Sequence, residues 1–147
     1  RSVGASAAYW AASGADKVFA SRISDVGGLG ATASYLDQSI KNARDGYTYV
    51  ELSSAPHKDA GDPARPLTAT EKAAVISDLK KIHEVFVDEV AVNRNLERAK
   101  VAQIANGLTF IGSDALEYGL IDEIGDINKA TNFISEQIGE PVELCWY

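Results

Sequence analysis

With 147 residues the chain is long enough to bury a core of its own, and 46% hydrophobic with 24% charged residues is ordinary for a globular fold. Acidic residues outnumber basic ones 21 to 14, a net charge of −7 with no Lys/Arg block, which excludes a nucleic-acid surface. One cysteine, Cys145, excludes an internal disulfide; His57 and His83 lack ligand-spaced partners, so no metal or cofactor is expected, and no apolar run reaches the roughly 18 residues of a membrane span.

The elements follow in chain order. Residues 2–5 read as the end of a buried strand that Arg1 opens partway along, so the chain is expected to be a fragment with upstream residues missing. An Ala-rich helix is predicted over 7–13 and a short strand over 17–21. Gly27-Gly28-Leu29-Gly30 predicts a flexible turn, followed by a helix over 35–44. Residues 47–53 (Tyr-Thr-Tyr-Val-Glu-Leu-Ser) alternate, which predicts a strand. Strands alternating with helices predict an α/β fold, mainly a parallel sheet with crossover helices, in a single domain.

A loop rich in Pro and Gly then carries Lys58, within Pro56-His57-Lys58-Asp59. Thr68-Ala69-Thr70-Glu71 is a capping box that opens the longest helix. Val75, Leu79, Ile82, Phe86 and Val90 step by four, three, four and four, which predicts one buried stripe. Helices over 97–105 and 113–118 follow, the second closed by Gly119. An extended piece over 120–125, an amphipathic helix through Ile127, Ala130, Ile134 and Ile138, and a terminal strand over 142–146 complete the chain.

Chemistry centres on Ser6, placed where a strand turns sharply into a helix. Such a turn exposes the hydroxyl beside free backbone N–H groups, which suits acyl transfer through an oxyanion. The serine needs a base, and no Asp-His pair is evident.

Gly4-Ala5-Ser6-Ala7-Ala8-Tyr9-Trp10, Ala15-Asp16-Lys17-Val18 and Gly27-Gly28-Leu29-Gly30, in that order, resemble the signal peptide peptidase A family of serine proteases. His57-Lys58-Asp59, Leu67-Thr68 to Glu71-Lys72, Phe86-Val87 with Val90-Ala91 and Arg94, and 119–125 extend the likeness from about Val3 to about Ala130. The resemblance implies a Clp protease/crotonase-like fold whose N-terminal part is missing here. It implies Ser6 as nucleophile, Lys58 as general base and the Ala7 N–H as an oxyanion donor, with Gly27, Gly28 and Gly30 letting an extended peptide approach. The reaction implied is hydrolysis of cleaved signal peptides or other extended apolar peptides through an acyl-enzyme. A closed homo-oligomeric ring is implied too, as is membrane association through an N-terminal anchor ahead of Arg1.

A lysine acts as a base only when neutral, and an ordinary lysine is neutral about once in 2,500 molecules at pH 7. Lys58 is therefore expected to point inward and Asp59 outward, with His57 a rival base. Ala7-Ala8 stand where the family usually has Gly-Gly, which leaves the N–H donors in place. Gly28 stands where the family usually has a serine that holds the lysine amine, so either a water or another hydroxyl, with Thr32 and Ser34 the candidates, replaces it, or the dyad is weakened. Three other readings stay open: a phage-type capsid maturation protease, a crotonase-like enzyme acting on acyl-coenzyme A esters, and a non-catalytic ring-forming subunit.

Overall fold

The backbone of the computed structural model, described over residues 2–145, alternates short strands with helices. In order they are β1 (Val3–Ala5), α1 (Ala7–Ser13), β2 (Phe19–Ala20), β3 (Asp25–Gly27), α2 (Ser39–Arg44) and α3 (Ala69–Asn93). Then come α4 (Arg98–Ile104), β4 (Thr109–Ile111), α5 (Gly112–Glu117), β5 (Glu123–Ile124) and α6 (Ile127–Ile138). The chain falls into two compact units, one holding residues up to Gly30 and from His83 onward, the other Ala31–Ile82.

The first unit carries both sheets found among the described residues. One has three strands in the order β1-β3-β4 and the other pairs β2 with β5. β1 runs parallel to β3, with Ala5 opposite Gly27, and β2 runs parallel to β5. β4 is antiparallel to β3, Thr109 facing Gly27, so the main sheet is mixed, not purely parallel. Helix α1 follows from its alanines, the best helix formers, and places Tyr9 and Ser13, one turn apart, in the core. Tyr9 also donates its hydroxyl to Leu120 O at 2.8 Å, which satisfies the one polar atom its burial would strand. Trp10 stacks on Phe86, centroids 4.3 Å apart and planes within 5°, so both act as packing residues.

Around them Val26, Leu29, Val87, Val90, Val101, Ala115, Leu120 and Ile121 form the core. Helix α5 ends as expected at Gly119: the Gly119 N–H bonds Leu116 O and the Leu120 N–H bonds Ala115 O, the two bonds of a Schellman cap. Asp126 caps α6 by accepting from the N–H groups of Asn128 and Lys129. An ion pair, buried on its arginine side only, ties the end of α3 to the loop before β5. Arg94 Nη2 lies 2.6 Å from Asp122 Oδ1, and Asp122 Oδ2 accepts the Val18 N–H.

Several expectations are corrected. Residues 47–53 form no strand: no strand among the described residues pairs with them, and Tyr47, Val50 and Leu52 are exposed. The stripe on α3 is buried only at Phe86 and Val90, where the core of the first unit covers it; Val75 and Ile82 are exposed and Leu79 half-buried. The helix expected from residue 35 begins at Ser39. Gly27 ends a strand rather than lying in a turn. Of the expected terminal strand, residues 142–145 are irregular and Trp146 lies outside the described residues, as does Arg1.

In the second unit the capping box forms as read. Glu71 N–H donates to Thr68 Oγ1 at 3.2 Å, and Thr68 N–H returns a bond to Glu71 Oε2 at 2.8 Å. Residues 45–68 otherwise hold neither helix nor strand, with turns concentrated over 54–65, where the Tyr35 hydroxyl donates to Asp62 O and Arg65 O.

Candidate active site

Strand β1 ends at Ala5 and α1 begins at Ala7, so a single residue, Ser6, makes the whole reversal. The turn forces Ser6 to φ 55°, ψ −127°, a backbone conformation that residues with a Cβ rarely adopt and that stores about 1–3 kcal/mol of strain. Two hydrogen bonds impose it. The Ser6 N–H donates to Gly27 O at 2.7 Å, continuing the β1–β3 ladder, and Ser6 O accepts the Trp10 N–H at 2.9 Å, starting the helix. The side chain is exposed and makes no capping bond, so the hydroxyl is not spent on the helix terminus. Ala7 and Ala8 follow, both exposed, at positions whose N–H groups have no partner within the helix.

The glycine run lies directly against this turn. Gly27 pairs with Ala5 and Thr109 as the last residue of β3. Gly28 has φ +65°, and a Cβ there would stand 3.3 Å from Ser6 N and 3.4 Å from Ala5 Cβ. Its N–H donates to Leu108 O at 3.0 Å. Leu29 is fully buried and pins the run to the core, while Gly30 packs closely on Gly107. The structure thus brings Ser6, Ala7, Gly27 and Gly28 together in the first unit. The glycines are small because backbone passes beside backbone there. Gly28→Ala is expected to cost about 1–2 kcal/mol, the penalty for a Cβ in the left-handed region, read as a lowered urea midpoint.

Lys58 belongs to the second unit, in the turn-rich loop, with its N–H bonded to Ala55 O at 3.1 Å. The expected orientations are reversed: Lys58 is exposed, whereas Asp59 is turned in. The Asp59 carboxylate accepts the Tyr49 hydroxyl and lies 3.4 Å from Arg65 Nε, which is why it faces inward. His57 is exposed in the same loop, and Thr32 and Ser34 are exposed in the same unit. The hydrogen bond to Asp59 pushes the Tyr49 hydroxyl up to about 12.

The Arg65–Glu71 pair is a feature that residue-by-residue reading passes over. Glu71 is only 3% exposed, and the side-chain hydrogen bonds from Arg65, with the backbone bond from Thr68, hold its carboxyl down at about 2. A signal existed, since Arg65 sits three residues ahead of the capping box, but a lone loop arginine ordinarily reads as solvated.

Residues 1–139 match the model of peptidase family S49. A candidate signal peptide peptidase SppA of Enterococcus faecium is 28% identical over 137 residues, covering 93% of this chain and 40% of that protein. Protease 4 of Haemophilus influenzae is 28% identical over 141 residues, covering 92% of this chain and 22% of its own length. The chloroplastic serine protease SPPA of Arabidopsis thaliana is 23% identical over 141 residues, with 95% and 21% covered. The chain therefore spans well under half the length of these curated relatives.

Proposed function

We propose, for a chain that belongs to peptidase family S49, that it is the part of a serine endopeptidase that supplies Ser6 as nucleophile and Lys58 as general base. The observation that carries this reading is the Ser6 backbone: a strained, non-glycine conformation at an exposed strand-to-helix turn, with the hydroxyl free of capping duty. Strain of this kind persists where function requires a side chain at a geometry glycine would fit better.

Ser6 Oγ attacks the carbonyl carbon of the peptide while the amine of Lys58, exposed on its turn and acting through its neutral form, takes the hydroxyl proton. The tetrahedral oxyanion is stabilised by the Ala7 N–H, a contribution of about 10²–10³-fold for such a donor. Lys58 then delivers its proton to the departing amine, leaving an acyl ester on Ser6. A water, deprotonated by Lys58, releases the acid and restores the serine. The substrate class is an extended apolar peptide, of which cleaved signal peptides are the leading example. The same reading carries a Clp/crotonase-like fold and a closed ring of copies working at a membrane. Among the described residues, no helix is long and apolar enough to cross one.

The test is covalent labelling. Full-length protein treated with a fluorophosphonate probe and digested is expected to carry the adduct on the peptide containing Ser6. An adduct confined to another serine, or none while casein is still cleaved, would remove Ser6 from the chemistry.

A further inference from the structure

Asp59 follows Lys58 directly in the chain, and a carboxylate free to approach an ammonium favours the protonated amine, the wrong form for a base. The second unit contains a device that occupies this carboxylate. Arg65 presents one edge of its guanidinium to Glu71, with Nη1 and Nη2 donating at 2.9 and 2.6 Å. From there Nη2 donates to Asp59 O at 3.1 Å and Nε to Asp59 Oδ2 at 3.4 Å. Glu71 is in turn fixed to the start of α3 by Thr68 N–H and Oγ1, at 2.8 and 2.9 Å. Tyr49 donates its hydroxyl to the same oxygen of Asp59. The Glu51 carboxylate stands 3.5 Å from Arg65 Nε. Asp62, Asp37 and Tyr35 also belong to the surroundings of the cluster, the tyrosine hydroxyl donating to the backbone carbonyls of Asp62 and Arg65.

We propose that Arg65 is a positioning residue for Lys58: anchored on Glu71, it fixes the backbone that follows the base and keeps the Asp59 carboxylate engaged. The carboxylate next to the base is then held by Arg65 and Tyr49 rather than left to the Lys58 amine. The inference rests on the reading of Lys58 as general base. It adds a role for a cluster that touches no reacting atom.

The test compares kcat against pH for casein hydrolysis by the full-length protein and its variants. Arg65→Gln frees Asp59, and the rising limb of the profile is expected to move up by about one pH unit, the lower end of what one opposite charge produces. At pH 7 kcat then falls about tenfold, with KM within about twofold. Adding Asp59→Asn to Arg65→Gln removes the freed charge and is expected to return the limb to its native position. A purely architectural role for Arg65 would not be rescued in this way. A limb that stays in place in Arg65→Gln, or that Asp59→Asn fails to restore, overturns the inference.

Should Arg65→Gln not fold, Asp59→Asn alone decides. With its charge already engaged by Arg65, the limb is expected to hold within about 0.3 unit, and a shift of a full unit overturns the inference. Lys58→Ala separates the two ideas. Activity surviving that change defeats the base assignment, whereas activity lost there alongside an unmoved limb in Arg65→Gln defeats only the role of Arg65.

Discussion

Replacing Ser6 with glycine is expected to silence the protein and stabilise it at once. Removing a serine nucleophile costs about 10⁴- to 10⁶-fold in kcat, because the acyl intermediate has no atom to form on. Stability moves the other way. A residue with a Cβ at φ 55°, ψ −127° carries about 1–3 kcal/mol of strain, and glycine accepts this conformation at an entropic cost of about 0.5–1 kcal/mol. The net gain is about 1 kcal/mol, seen as a raised urea midpoint with unchanged slope. Ser6→Ala is the control: it loses the same activity but keeps its Cβ, and so gains nothing. If the glycine variant were no more stable than the alanine variant, the turn would not be strained and the main support for the function would go.

The second large effect belongs to Lys58. Lys58→Ala is expected to lower kcat by about 10²–10⁴-fold, the range for loss of a positioned general base, and to abolish the rise of rate with pH. Lys58→Arg should fare no better, since a guanidinium keeps its proton throughout the working range. The position makes this test clean. Lys58 is exposed on a turn, where substitutions ordinarily change stability by less than about 0.5 kcal/mol. Loss of activity with an unchanged urea midpoint would then reflect chemistry and not unfolding. Activity within tenfold of native in Lys58→Ala would end the lysine assignment.

Much of the fold was legible in the sequence because many of its signals are local. The Ala-rich stretch after Ser6, the capping box at Thr68 and Glu71, and the glycine that closes α5 each specify a backbone geometry within a few residues. The turn at Ser6 was legible for the same reason. What failed depended on partners distant in the chain. Residues 47–53 alternate as a strand should, but a strand exists only with a neighbour to bond, and this segment has none among the described residues. β4 escaped because three residues give too short a pattern, and β3 because its last residue is a glycine ordinarily read as a turn. On α3 the apolar spacing was read correctly, but burial also requires something to cover the stripe, and only Phe86 and Val90 have it.

The candidate site shows the same division. Ser6, Ala7, Gly27 and Gly28 converge through a ladder between adjacent strands, although the local residues alone were weak evidence and the ordered family motifs singled them out. The orientation of the Lys58 loop did not follow from its own residues. It is set by Arg65, whose importance arises only through a carboxylate on α3 and another beside the lysine.

The bond from Ser6 N–H to Gly27 O makes Ser6, the proposed nucleophile, the next rung of the β1–β3 pairing, after Ala5 and Gly27. Its location is therefore inherited from how two strands are aligned. Sliding β1 by one residue would swing every side chain to the opposite face and carry the hydroxyl off with them. Evolution is free to lengthen or shorten the loop between α1 and β2, since neither changes that alignment. An extra residue within β1 would erase the site while leaving every contributing amino acid in the chain.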